Sequence, residues 1–197
     1  MEWQPRTKLG KMVKEGQITN IDEILDSGRK ILEPEIVDYL IPELKHEVIS
    51  LTTTQRTTDS GRRSTFRAIV LVGDQKGHVG VGVGKSSEAR DAIEYATKDA
   101  KKNLIKVSMG CGSWECQCGL VHSIKEKVEG KRSSTFIELK PAPRGLGLAA
   151  NETVKKVLEF AGVKDVWSKA RGSTGNKYNM ILATIEALNK LNTGKPH

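Results

Sequence analysis

The sequence contains no run approaching the ~18 apolar residues that a membrane-spanning helix requires. Met1 to Pro5 also lacks the apolar stretch of a signal peptide, so the chain is read as intracellular and cytoplasmic. Cysteine is scarce. There are 3 in 197 residues, an odd number crowded between Cys111 and Cys118, which argues against a disulfide framework. Aromatic residues reach only 5%, so any core leans on Val, Ile, Leu and Ala. The 4 histidines, His46, His78, His122 and His197, stand in no HExxH or GxSxG pattern, and no catalytic constellation emerges. The expectation is a protein that is not an enzyme.

What is present is positive charge. Lys plus Arg total 32 against 24 for Asp plus Glu, a formal net charge of +8 with a pI near 9.4. That excess favours phosphate backbones by releasing counterions; the bland counterpart is a solvated basic surface. A hydrophobic content of 37% suffices for real cores, and the length fits one or two domains.

Four segments are expected. Residues 1–42 read as a partly helical arm that wraps on a partner or on the main body. Within it, Asn20 and Glu23 form a capping-box pattern ahead of Ile24 and Leu25, and Gly28 stops the turn. Residues 43–107 read as a first domain of three strands and a helix. A strand runs from Leu44 to about Gln55, and Arg56 to Arg63 has turn composition. A second strand covers Phe66 to Val72. In a third, Val79, Val81 and Val83 alternate with Gly80, Gly82 and Gly84, a bare glycine face that invites a close backbone approach. A helix from Ser87 to Lys106 carries Ala89, Ile93, Ala96, Ala100 and Leu104 on one stripe, with Lys98, Lys101 and Lys102 opposite. Residues 108–122 are a Cys-rich insert. Residues 123–197 order as strand–strand–helix–strand–helix, with Gly162 ending the first helix, an α+β pattern.

Three motifs carry chemistry. Gly84-Lys85-Ser86 resembles the end of a phosphate-binding P-loop, but the glycine that such a loop needs five positions earlier is Val79. Cys111, Cys116, Cys118 and His122 make a complete tetrahedral set for structural zinc, with no position open for catalysis. The alternative is three reduced thiols on a Gly-rich loop. Arg56, Arg62, Arg63 and Arg67 flank a projecting turn; guanidinium forks there can grip phosphates and stack on unpaired bases, or simply stay solvated.

The stretch Gly61 to Lys85, GRRSTFRAIVLVGDQKGHVGVGVGK, resembles the signature of the universal small-subunit ribosomal protein of the S-five family. Asp99-Ala-Lys-Lys-Asn-Leu104 and Pro141-Ala-Pro-Arg-Gly-Leu-Gly147 are also similar, and the resemblance covers about residues 43–191. The arm and the cysteines resemble the archaeal and eukaryotic branch, the thiols its archaeal members. The resemblance implies a first domain related to the double-stranded-RNA-binding fold and a second of the βαβ type that is named after this family. It implies a structural constituent of the small ribosomal subunit, located in the ribosome. Such a protein binds ribosomal RNA, supports assembly and contacts neighbouring ribosomal proteins four and eight. It also lies by the channel through which mRNA enters and influences decoding accuracy. Carried over, Arg62 and Arg63 match the basic hairpin, Gly80, Gly82, Gly84 and Lys85 the glycine strand, and Arg144 the inter-element loop; Arg56, Arg67, Lys98, Lys101 and Lys102 join the expected rRNA-binding set on their chemistry. The bacterial form lacks the cysteines, so zinc would be a lineage-specific staple. A free-standing RNA-binding regulator and a nucleotide-dependent enzyme centred on Lys85 are the rival readings.

Overall fold

The computed structural model describes residues 3–116 and 118–193, the last as backbone only. His197 and the end of the 123–197 segment lie outside the described residues. Two compact units divide the chain: Met1–Val72 with Gly80–Leu104, and Gly73–Val79 with Ile105–His197.

The first unit opens with three short helices, α1 (Lys8–Lys14), α2 (Ile21–Asp26) and α3 (Glu35–Leu40). Helices this short are unstable alone. Val13, Ile21, Ile24, Ile31, Ile36 and Val37 hold them by forming one buried cluster with Leu104. The arm thus wraps on its own unit. Asn20 makes no capping bond, contrary to the capping-box expectation, because α2 is fixed through Ile21 and Ile24 rather than at its end. The side-chain cap of the arm is Thr7, whose hydroxyl accepts from Gly10 N at 3.0 Å.

A four-stranded sheet follows in the order β1-β2-β3-β4. Its strands are β1 (Lys45–Thr58), β2 (Gly61–Gly73), β3 (His78–Ser86) and β4 (Leu104–Lys106), with α4 (Ala89–Lys102) between the last two. The turn expected over residues 56–63 shrinks to Asp59-Ser60, and Gly61 (φ 128°) supplies the backbone angle the tight reversal needs. Helix α4 is shorter than expected. Asn103 leaves helical geometry at its C-terminus, and residues 104–106 pair as a strand instead.

The α4 stripe is also rotated from the expected one. Ala92, Ala96 and Ala100 are its buried residues, packed with Ala68, Val70 and Val72 of β2. Ala92 faces Gly84, Ala96 faces Gly82 and Ala100 faces Gly80. Four helical residues rise about 6 Å and two strand residues about 6.6 Å, so the two small-residue ladders stay in step. A methyl at Gly82 would sit 2.1 Å from the Ala96 carbonyl oxygen and 2.2 Å from the Ala100 nitrogen. The close approach that the glycine face invites is therefore made by the chain's own helix.

The β2–β3 turn is organised by Asp74. Its Oδ1 accepts from Lys76 N at 2.8 Å and His78 N at 3.0 Å, and its Oδ2 meets His78 Nδ1 at 2.6 Å. Burial pushes the Asp74 carboxyl up, but those bonds outweigh it and hold it below its ordinary 3.8. A folded-state value below the unfolded one stabilises fully above about pH 4, and this contribution fades as pH falls through the lower, folded value. The urea midpoint of the native chain should exceed that of Asp74→Asn near pH 5, and the excess should shrink as pH falls below about 4. A margin independent of pH would refute the capping role.

The second unit contains a short ladder, β5 (Met109–Gly110) with β6 (Ser123–Ile124), and a four-stranded sheet. That sheet is ordered β7-β8-β10-β9, from β7 (Val128–Arg132), β8 (Thr135–Pro141), β9 (Leu148–Ala149) and β10 (Val166–Gly172). β10 runs antiparallel to β8 and parallel to β9, and α5 (Glu152–Ala161) makes the crossover, giving the βαβ element. Gly162 (φ 86°) ends α5 in left-handed geometry, as expected from sequence. α5 and α6 (Lys177–Thr193) pack on each other, and α6 covers the inner face of β7 and β8. Val128, Gly130, Ile137 and Leu139 turn inward there, and alternate residues turn out. The whole is α+β.

Candidate nucleic-acid interface and metal centre

The β1–β2 hairpin projects as two long strands with mostly exposed outer residues. Thr54 and Thr65 hydroxyls meet at 2.9 Å, and Thr58 donates to Gly61 O at 2.8 Å, which fixes a register in which residue numbers across the ladder sum alike. In that register Arg56 lies opposite Arg63 and Arg67 follows on the same face, while Arg62 points to the other. Like charges directly opposed destabilise a ladder. Among the described residues, no carboxylate pairs with Arg56, Arg62 or Arg63. The tip is thus an uncompensated cation cluster presented on both faces.

The remaining candidates divide. Gly80, Gly82 and Gly84 are buried against α4, so they offer no surface to RNA, and the strand geometry leaves no curled loop for a nucleotide phosphate beside Lys85. Lys85 and Lys102 are exposed. Lys98 is bonded to Glu94 at 2.7 Å and Lys101 to Asp38 at 2.6 Å, so both would have to exchange a carboxylate for a phosphate. Arg144 is exposed on the loop between β8 and β9.

The β5–β6 ladder pairs Gly110 with Ser123, which carries Cys111 and His122 to opposite sides of a loop neck. His122 N donates to Gly110 O across it at 3.3 Å. Cys116 and Cys118 fold back from the loop. The four ligand atoms, three Sγ and one ring nitrogen, all lie within 4.8 Å of one another. Cys111 and Cys118 Sγ are 3.6 Å apart, and Cys116 Sγ is 3.7 Å from His122 Nε2. A tetrahedron with metal–sulfur bonds of about 2.3 Å and metal–nitrogen bonds of about 2.0 Å has edges of roughly 3.5–3.8 Å. The donor set therefore fits a closed, four-coordinate metal site.

Electrostatics agree with that geometry. Hydrogen bonds from Cys118 and from the Arg144 N–H pull the Cys116 thiol down to about 6. Burial, with hydrogen bonds and charge from Cys118 and Cys116, pushes Cys111 up to about 11. Crowded thiolates repel, and a divalent cation removes that conflict. The buried Asp165 completes the arrangement. Its Oδ2 lies 2.9 Å from His122 Nδ1, fixing the ring with Nε2 turned to the thiols. Its Oδ1 accepts from Gly145 N at 3.1 Å and Gly147 N at 2.8 Å. One carboxylate thus ties the Cys/His cluster to the loop that bears Arg144.

Sequence reasoning missed Asp165, which is 43 positions from its imidazole partner and sits in no motif. It also passed over Phe136 and Trp167, which are exposed on the outer face of the second sheet.

Residues 44–108 match the family model described as ribosomal protein S5, N-terminal domain, and residues 130–196 match the model for its C-terminal domain. Similar proteins include the small ribosomal subunit protein uS5 of Methanocaldococcus jannaschii, 56% identical over 97% of this chain and 88% of that protein. Those of Methanoregula boonei and Aeropyrum pernix are each 52% identical, covering 97% and 94% of this chain and 93% and 85% of their own lengths.

Proposed function

The chain belongs to the ribosomal protein S5 family, and from that premise we propose that it is a structural, non-catalytic constituent of the small ribosomal subunit, working in the cytoplasm, that clasps ribosomal RNA. The supporting observation is the hairpin tip, where Arg56, Arg62 and Arg63 stand without carboxylate partners among the described residues, two of them opposed across a ladder. A polyanion relieves that repulsion, and guanidinium forks bind phosphate bidentately. Arg67, Lys85 and Lys102 add further cations on the first unit, Lys98 and Lys101 join them once they leave their carboxylates, and Arg144 adds one on the second unit. Assembly support, contacts with ribosomal proteins four and eight, and a position by the incoming mRNA with influence on decoding accuracy complete the reading.

Cys111, Cys116, Cys118 and His122 would hold zinc as a staple closing the 111–122 loop. Zinc there supplies charge neutralisation and a fixed fold rather than chemistry, because four protein ligands leave no open position. Asp165 orients the imidazole from behind.

Arg62→Ala with Arg63→Ala is expected to weaken binding to a small-subunit rRNA fragment and to flatten the log–log salt dependence by about one unit per lost phosphate contact, roughly two in all. An unchanged slope would count against both residues. Sedimentation separates a ribosomal constituent from a free regulator, since the former stays with small subunits in high salt.

A further inference from the structure

The outer face of the second-unit sheet is covered by none of that unit's helices, and its residues fall into rows across the strands. Lys131 opposes Phe136, which opposes Arg171. One row on, Glu129 opposes Glu138, which opposes Lys169; one row beyond, Lys140 opposes Trp167. Phe136 is 44% exposed and Trp167 47%, and each is flanked by cations. Both carboxylates are already answered: Lys127 lies 3.0 Å from Glu129 and from Glu138, and Lys140 lies 3.2 Å from Glu138. Lys169 and Arg171 have no carboxylate partner among the described residues, and Lys131 rests over the Phe136 ring at 4.8 Å. Two open clefts adjoin the aromatics, about 500 Å³ beside Phe136 and about 410 Å³ beside Trp167.

We propose that this face is a second RNA site, distinct from the hairpin, which takes unpaired bases by stacking them on Phe136 and Trp167 while Lys131, Lys169 and Arg171 hold the phosphates. The chemistry selects the ligand. An aromatic ring accepts the face of any base, and surplus cations track the backbone that carries it. A protein partner is the poorer match, because lysine and glutamate are depleted where proteins bury one another. Duplex RNA is poorer still, since its bases are stacked and hidden from an aromatic platform. The two rings lie four strand residues and one strand apart, roughly 14 Å, too far for one base, so each receives its own. When a nucleotide arrives, Lys131 moves from the ring to a phosphate and the base takes its place.

The test uses the full chain and a fluorescently labelled oligouridylate of about ten nucleotides. Phe136→Leu and Trp167→Leu alter exposed side chains, and thermal melting would check that each remains folded. Each is expected to weaken oligouridylate binding by between about fivefold and a hundredfold. Arg171→Ala should flatten the salt slope by about 0.7. Arg62→Ala with Arg63→Ala should leave most of the single-strand affinity intact, so failure here and failure of the hairpin reading are separable. A second readout comes from a chain with Trp3→Phe and Trp114→Phe, in which Trp167 is the lone indole. Its emission should be quenched saturably by oligouridylate and not by a duplex. Folded leucine variants that bind oligouridylate as well as the native chain, or an indole indifferent to single strands, would overturn the proposal. So would finding that a neighbouring protein alone protects this face.

Discussion

Gly82→Val is expected to destabilise the first unit by at least about 3 kcal/mol, at or beyond the upper end of the usual range for overpacking. The reason is the identity of the obstructing atoms. Most small-to-large substitutions press on side chains that can change rotamer, whereas a Cβ at Gly82 meets the Ala96 carbonyl oxygen and the Ala100 nitrogen, both in helical backbone. Relief requires the helix to lift from the strand, which would also part Ala92 from Gly84 and Ala100 from Gly80. A loss of this size should lower Tm by roughly 6–12 °C in a chain of this length. Ala96→Gly should not rescue it, since removing a methyl leaves the carbonyl where it was. Gly175→Ala, where a new Cβ meets nothing within 4 Å, is the control and should change stability by under about 0.5 kcal/mol. Thermal melts of the three variants decide the matter. A Gly82→Val protein that melts with the native one would mean that the strand and helix do not touch.

Metal removal should have the other large effect. Natively purified protein is expected to carry about one equivalent of zinc, and stripping it should lower Tm. With free zinc at a thousand times Kd, binding adds about 4 kcal/mol to stability, or roughly 8–16 °C in Tm at this length. Cys116→Ser and His122→Ala each delete a ligand and should reduce zinc affinity by more than about 100-fold. Asp165→Asn leaves all four ligands in place but weakens the grip on the imidazole, so its expected loss is about 10–100-fold. Because Cys111, held up to about 11, still carries its proton near neutral pH, uptake should release a proton there, and affinity should rise with pH until that thiol is deprotonated. Zinc below about 0.2 equivalents with three freely reactive thiols would refute the site. Should Asp165→Asn match the native affinity, its role in holding His122 would be wrong even with the metal present.

Much of this was legible from local pattern. Valine–glycine alternation marked β3, and Gly162 marked the end of α5, because period and backbone permissiveness are properties of a few adjacent residues. The clustering of Cys111, Cys116, Cys118 and His122 was visible for the same reason, since all four side chains lie within one loop. What sequence could not say was which surface the glycines serve. A bare face invites close approach by any backbone, and only the register of α4 reveals that its own alanines fill the space. The hairpin turn is narrower than its composition suggests: aspartate, serine and glycine suit a turn, yet the strands and the Thr58–Gly61 bond carry the ladder past Arg56 and Arg63. Asp165 was illegible for a different reason: its partners are an imidazole and two backbone N–H groups from separate segments, which leave no local trace.

The strand–helix seam has one more implication. Glycine and alanine possess no side-chain torsions that folding must freeze, so the β3–α4 joint forms without loss of rotamer freedom. By the same token it has no alternative arrangements to hop between once made. β2, which carries half of the arginine hairpin, lies beside β3 and packs on those same alanines. A pull on the hairpin therefore meets a hinge with no soft side-chain settings, and the strand, its neighbour and the helix answer as one stiff body.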